Sequence, residues 1–375
     1  MENLKLFYEV AENPFDYAGQ WKREQGRKVI GYFCSYTPEE VIHAAGALGF
    51  RIFGAGPSIT LADAHLQAYC CSLVRGALED ALSGRLNFLD GVVFPHTCDS
   101  IQRLSDIWRI NIPMGLHADV VMPVKLNTQS AREYMTDVIR KFRDDLEQNL
   151  GVEISDRALT KSCATYNRIR NCLHKIYDIR RANPDAVSGG DVNAVVKSAM
   201  IMDRDALLEK LLQVIPDLEE KTAEKKSNRK RLVLSGGICN MPDVYGVIEK
   251  SGGTVVWDDL CTGSRYFGGS IIDIDGDIVA SIANRYLDRI VCPAKHSGLR
   301  SRGEQLVDAV KESHADGVIF MILKFCDPHA FDYPYLKDML EQENIPSLLV
   351  EIEDRLPAEG QVKTRIEAFL EILRN

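Results

Sequence analysis

A repeated phrase constrains this chain more than anything else in it. Leu89-Asp-Gly-Val-Val-Phe-Pro-His-Thr-Cys98-Asp-Ser100 is echoed by Ala315-Asp-Gly-Val-Ile-Phe-Met-Ile-Leu-Lys-Phe-Cys326-Asp-Pro328. Each copy joins an Asp-Gly pair to a short, continuously apolar run, the pattern of a strand buried on both faces. Each then presents Cys-Asp and leads, through a helical stretch, to an Ile-Pro pair (Ile112-Pro113, Ile345-Pro346) ahead of another apolar run. The spacing predicts two similar α/β halves, each delivering a cysteine from the carboxyl end of a strand. In open α/β sheets that end is where ligands bind. The cysteines are therefore expected to face one shared site.

The 375 residues suffice for two to three domains with full hydrophobic cores. A net charge of -9 argues against general affinity for nucleic acid or an anionic membrane. The first ten residues carry acids and no long apolar run, unlike a signal peptide. No apolar run approaches the roughly 20 residues that span a bilayer. A cytoplasmic protein with neither nucleic acid nor membrane as partner is the expectation. The ten cysteines are more than packing needs, and a disulfide framework belongs to small secreted domains. Packing as small buried hydrophobes suits Cys163 and Cys172, which fall in a helical pattern, and Cys292. It does not suit cysteines at strand ends beside Pro, Gly, Asp or Thr.

Three segments follow from the pattern. Residues 1–125 read as a first α/β domain: an amphipathic leading helix to about residue 25, a strand ending at Cys34, and a helix with Thr37 as N-cap and Pro38 at its first position. A second strand at 50–53 and the stretch around Cys70 and Cys71 follow, then the opening motif. Residues 126–228 read as a helical insert with long helices at 132–150, 157–179 and 192–213, closed by a hydrophilic linker. Residues 229–375 read as a second α/β domain, with Cys239 after its first strand, Cys261 after its second and Cys326 after its third. The fold class is thus α/β, two parallel-sheet domains joined by a helical insert.

Cys34, Cys98, Cys239 and Cys326 stand at corresponding strand ends, joined by Cys71 and Cys261. Several thiolates around one point suit zinc or an iron–sulfur cluster, because soft ligands select those metals. The CxxC pairs of structural zinc sites and ferredoxins are absent, so dispersed single ligands favour a cluster between domains over a zinc ribbon. Inert buried cysteines are the alternative. There is no GxxxxGK[ST], so the chain should not hydrolyse ATP by a P-loop, and GxSxG and HExxH are absent too. Glu40 and His43, in the helix after Cys34, are candidates for proton transfer, against helix-dipole and packing roles. Arg265 is a candidate for holding a phosphate or carboxylate, and His96 and Lys324 flank their cysteines.

Five phrases (Phe33 to Gly46, Tyr69 to Ser72, Pro95 to Asp99, Asp258 to Arg265, and Lys324 to Pro328) resemble, in this order, the 2-hydroxyacyl-CoA dehydratase/benzoyl-CoA reductase family. The resemblance spans nearly the whole chain. It implies two flavodoxin-like domains and a [4Fe-4S] cluster on Cys71, Cys98 and Cys326. Cys71 is preferred to Cys70 because it directly precedes the serine. The resemblance also implies an acyl-CoA substrate, a sister subunit or a homodimer, and electrons from a separate ATP-hydrolysing iron–sulfur activator. The reaction implied is 2-hydroxyacyl-CoA dehydration or aromatic acyl-CoA reduction. A related branch carries a double-cubane [8Fe-9S] cluster on six cysteines and reduces small molecules. Cys34 and Cys261 stand where its extra ligands are expected, with Cys239 or Cys70 as the sixth. A cluster-carrying electron-transfer subunit without its own substrate is a third reading.

Overall fold

The computed structural model describes residues 2–54, 58–221, 228–237, 243–289, 292–298, 300–352 and 359–373. The first part runs α1 (Glu2–Glu12), α2 (Pro14–Gln25), β1 (Val29–Tyr32), α3 (Glu39–Ala44), β2 (Leu48–Arg51), α4 (Ser72–Leu82), β3 (Gly91–Pro95), α5 (Asp99–Asn111) and β4 (Leu116–Val120). Four helices follow: α6 (Gln129–Leu150), α7 (Asp156–Ala182), α8 (Gly189–Ala199) and α9 (Arg204–Lys221). The last part runs β5 (Lys230–Gly236), α10 (Asp243–Lys250), β6 (Gly253–Asp259), α11 (Ser264–Phe267), α12 (Ile278–Asp288), α13 (Ser301–Glu312), β7 (Gly317–Leu323), α14 (Asp327–Gln342), β8 (Ser347–Ile352) and α15 (Glu359–Ile372).

The two halves carry the same sheet. Strand order is β2-β1-β3-β4 in one and β6-β5-β7-β8 in the other, and every pairing is parallel. Helices cover both faces, so β1, β2 and β3 are buried at every position, the burial that continuous apolar runs demand. These are the two similar α/β halves expected from the repeat, in the flavodoxin-like arrangement that the resemblance implies.

The structure also explains why the repeat keeps its Asp-Gly pair. The Asp90 carboxylate accepts the backbone N–H of Val29 at 3.0 Å and the Lys28 ammonium at 2.9 Å. In the second half Asp316 accepts the N–H of Arg231 at 2.7 Å and Lys230 at 3.3 Å. Each aspartate thus satisfies the start of the neighbouring central strand and sets its register. The N–H groups at that strand end would otherwise lack partners.

Element boundaries differ from the expectation where local chemistry intervenes. The leading helix is two helices, broken at Asn13-Pro14, because proline lacks the N–H to continue α1 but suits the first turn of α2. The helix expected at 192–213 is also two. The Arg204 guanidinium donates to the carbonyls of Ala199 and Met202 at 2.7 and 2.6 Å, satisfying the end of α8 before α9 begins. Thr37 does not cap α3. Its hydroxyl donates back to the Phe33 carbonyl at 2.7 Å, and Pro38 takes the N-cap position. Among the described residues no helix is long and apolar enough to cross a membrane.

The path between β6 and β7 ties the two halves together. Instead of returning directly, residues 264–297 cross to the first half. Ile278, Val279, Ile282 and Tyr286 of α12 share a core with Ile30, Val93 and Ala118 of the first sheet and with Met135 and Ile139 of α6. His296 bridges to Lys125 just beyond β4.

Close backbone approach fixes the start of α4. A Cβ at Gly76 would overlap the Gly54 carbonyl oxygen, which belongs to the loop after β2 and cannot swing away as a side chain would. Gly76→Ala is expected to destabilise the protein by about 1–3 kcal/mol, read as a lower urea midpoint at unchanged slope.

Candidate metal centre

Three cysteines occupy the same local position. Cys71, Cys98 and Cys326 are the N-cap residues of α4, α5 and α14. None of the three side chains makes a capping hydrogen bond; burial raises each thiol, and the first-turn N–H groups of Leu73 and Val74, of Ile101 and of His329 act against it. Helix N-termini favour negative charge there. Cys34 follows β1 with φ 54, and Phe325, next to Cys326, has φ 64. A left-handed conformation in a non-glycine residue costs about 1–3 kcal/mol, so strain sits beside the site in both halves.

These positions converge. One cavity of about 80 Å³ is lined by Cys34, Cys71, Cys98, Cys261, Cys292 and Cys326, together with Arg51 and His329. Among the described residues no group of three or more His, Cys, Asp and Glu side chains closes around a single ion. The thiols ring a space instead of meeting at a point. That donor set fits a polynuclear metal–thiolate group and does not fit a mononuclear zinc site.

Burial pushes the thiols up: Cys98 and Cys292 to about 12, and Cys71 and Cys326 also above the ordinary thiol value. Without metal they are protonated at neutral pH, and a coordinating metal is what deprotonates such thiols.

His329 joins two of these sulfurs. Burial, then Arg265 and Arg302, hold its imidazole down at about 3, so the ring is neutral. Arg265 can only donate, so its Nη1, 3.2 Å from Nε2, makes Nε2 the acceptor and leaves the proton on Nδ1. Nδ1–H then points at Cys326 Sγ, 3.2 Å away. The same Arg265 Nη1 lies 3.6 Å from Cys261 Sγ. Asp259 fixes the guanidinium through two oxygens at 2.5 and 2.7 Å, and Arg302 bridges Asp259 to Asp332 at 3.1 and 2.7 Å. The anion expected at Arg265 is thus the chain's own Asp259.

A second, open cleft of about 540 Å³ adjoins this cavity and shares Thr97, Cys98, Ala294 and Pro328 with it. Its wall includes His96, Lys295, Arg302 and Asp332. His96 is held by Asp119 at 2.9 Å. The cleft gives the cysteine cavity a route to solvent beside Cys98.

Several expected residues are elsewhere. Glu40 is fully buried and bonded to Arg170, with Tyr286 Oη donating at 3.0 Å and the Arg285 guanidinium 3.9 Å away. Burial alone would raise its carboxyl, but Arg170 and Arg285 outweigh it and hold the group below the ordinary value. His43 Nδ1 lies 2.9 Å from Ser162 Oγ, whose own proton goes to the Glu40 carbonyl, and burial lowers the imidazole. Neither Glu40 nor His43 lines the cysteine cavity. Because α3 starts at Glu39, both glutamates turn toward α7 and not toward Cys34. Cys70 is buried outside the cavity wall, and Cys239 lies outside the described residues. Cys163 and Cys172 are buried in α7, as packing predicts.

Sequence reasoning passed over Arg51 and His329 and assigned Cys292 to packing; Cys292 does share a core with Tyr286 and Leu287, and it lines the cavity as well. The signal for Cys292 was present. Pro293 follows it directly, the same neighbour that singled out other cysteines. What the sequence hides is that residues 264–297 return to the first half and carry Cys292 to the opposite wall.

Comparison with known proteins gives one consistent picture. A profile of the family described as 2-hydroxyglutaryl-CoA dehydratase, D-component, matches residues 34–373. The (R)-phenyllactyl-CoA dehydratase beta subunit of Clostridium sporogenes is 28% identical over 98% of this chain and 97% of its own. A benzoyl-CoA reductase subunit of Thauera aromatica is 30% identical over 88% of this chain and 87% of its own. The lactoyl-CoA dehydratase beta subunit of Anaerotignum propionicum is 27% identical over 99% and 98%.

Proposed function

Since the chain belongs to the 2-hydroxyglutaryl-CoA dehydratase D-component family, as an enzyme subunit of the acyl-CoA dehydratase and benzoyl-CoA reductase kind, we propose that it carries an iron–sulfur cluster in the six-cysteine cavity. In this reading low-potential electrons come from a separate ATP-hydrolysing activator. The observation that carries it is the set of six thiols lining one cavity. A four-iron cubane on Cys71, Cys98 and Cys326 would leave Cys34, Cys261 and Cys292 as idle thiols around the same space. An [8Fe-9S] double cubane uses all six, and reduction of a small molecule is the reaction that goes with it.

Such a group, when bound, supplies stored electrons and Lewis-acidic iron. The residues do the rest. Cys71, Cys98 and Cys326 stand at the positive ends of three helices. His329 Nδ1–H and the Arg265 guanidinium aim at Cys326 and Cys261. Hydrogen bonds to sulfur raise a cluster's potential. The buried apolar lining around Val74, Ile101 and Leu323 excludes water, and the cleft beside Cys98 admits substrate. All six candidate ligands come from one chain, so the centre draws no thiolate from the sister subunit that the beta-subunit names of the relatives imply, or from a second copy of this chain.

The second reading keeps a [4Fe-4S] cluster on Cys71, Cys98 and Cys326 and an acyl-CoA substrate, either a 2-hydroxyacyl-CoA for dehydration or an aromatic acyl-CoA for reduction. The full-length match to named acyl-CoA enzymes and the size of the outer cleft favour it, and a sister subunit would accompany it. The open cleft speaks against a pure electron carrier. Iron and acid-labile sulfide per chain after anaerobic purification, with EPR of the reduced protein, decides. About eight irons support the double cubane and about four the acyl-CoA reading. Zinc alone, or no metal, overturns both.

A further inference from the structure

Arg51 stands at the end of β2, is 1% exposed, and lines the six-cysteine cavity. Its Nε has no hydrogen-bond partner. No hydrogen bond or ion pair among the described residues reaches the rest of its guanidinium, whose one recorded contact is the face of Tyr32, 5.7 Å from the ring centre. Most of the other buried arginines nearby behave differently; Arg289 is the exception, its Nε also without a partner and its Nη atoms donating to the Arg265 carbonyl and Ser35 Oγ at 2.9 and 3.2 Å. Arg170, Arg204, Arg265 and Arg302 are each tied to a carboxylate: Glu40, Glu39, Asp259, and Asp259 with Asp332. Glu39 feels the charge of Arg51, but its carboxylate is taken by Arg204 at 2.8 Å.

A second cation stands at the mouth. Lys295 Nζ donates to the carbonyls of His96 and Met122 at 3.4 and 3.3 Å, and no carboxylate pairs with it among the described residues. Among the described residues the cavity is thus flanked by two positive charges that no carboxylate pairs with, and six thiols line it. A buried unpaired cation is costly, and one left facing an enclosed space needs an anion there.

We propose that Arg51 is the fixed counter-charge of an anionic metal–thiolate group in this cavity, holding the group in place and setting its potential. The proposal rests on the reading that the cavity takes a metal cluster. It makes Arg51 a positioning residue and explains why a guanidinium buried at a strand end has no hydrogen-bond or ion-pair partner among the described residues. Its partner is the cargo of the cavity. A structural role for Arg51 would stabilise the protein with or without metal. A counter-charge role reverses sign, unfavourable in the empty cavity and favourable once an anionic group fills it.

The test uses the full chain with Arg51→Met and Arg51→Lys, each metal-free and after reconstitution with ferrous iron and sulfide. Metal-free R51M is expected to melt above metal-free wild type. Iron-loaded R51M is expected to have a lower midpoint potential, by at least a tenfold change in the reduced-to-oxidised ratio, about 59 mV for a one-electron couple. R51K should stay near wild type in both. R51M that melts higher but takes up less iron, while R51K takes up the wild-type amount, supports the proposal equally. Metal-free R51M melting below wild type, or loaded R51M with the wild-type potential, overturns it. If wild type itself takes no iron, the cluster reading falls. The metal-free melting point still reports separately on whether Arg51 is uncompensated.

Discussion

Cys292→Ala is expected to reduce the iron of anaerobically purified protein to about half or less and to lower any activator-dependent turnover by at least about 100-fold. Cys163→Ala and Cys172→Ala, buried in α7 away from the cavity, should keep their iron. The contrast separates the readings, because Cys292 has no task in a cubane on Cys71, Cys98 and Cys326. Removing a sixth ligand would leave one iron of the larger cluster without its thiolate. Packing alone does not account for such a loss: cysteine to alanine deletes one sulfur from a wall that already faces empty space. If C292A retains both the full iron content and its EPR spectrum, Cys292 is not a ligand. The four-iron acyl-CoA reading then takes precedence.

The second large effect concerns folding. Glu40→Gln is expected to destabilise the protein by about 3–5 kcal/mol, because it leaves Arg170, 4% exposed, without its carboxylate in the interior. Arg170 would keep only its 3.0 Å contact to Asn167 Oδ1. Denaturant midpoints of the metal-free proteins measure this without interference from the cluster. The pair also carries a pH signature. Glu40 titrates lower in the folded chain than its ordinary value of 4.5. Its contribution is therefore fully present above that ordinary value and is lost as pH falls toward the folded one. E40Q should accordingly differ most from wild type near neutrality and converge with it in acid. An effect on stability that persists unchanged at low pH would show that shape, not charge, is what matters at this position.

The repeat made the architecture readable, because strand, turn and cysteine are local features, and Asp90 and Asp316 act within their own halves. Cys34, Cys71, Cys98, Cys261 and Cys326 were legible for the same reason: each lies a few residues beyond a strand or at a helix start. Cys292 and Arg51 were not. The place of Cys292 depends on α12 packing against α6 and the first sheet, a long-range choice that spacing does not encode. Arg51 closes a strand whose apolar neighbours announce burial, but only the assembled wall shows that its guanidinium has no acid to meet. Glu40 and His43 looked suited to chemistry because they follow Cys34 closely in the chain. The hydroxyl of Thr37 bonding back to Phe33 delays the helix start and turns them away, a choice between two nearly equivalent hydrogen bonds.

The return of residues 264–297 to the first half also has a consequence in time. A chain leaving the ribosome completes its first sheet, with Cys34, Cys71 and Cys98 in place, long before Cys261, Cys292 and Cys326 exist. Through all of that interval half of the thiols stand on a finished wall with nothing opposite, open to oxidants and to stray metal. The strip bearing Cys292 docks on α6 and the first sheet, so the six-thiol cavity exists only after that docking and after the second sheet has brought Cys261 and Cys326 to it.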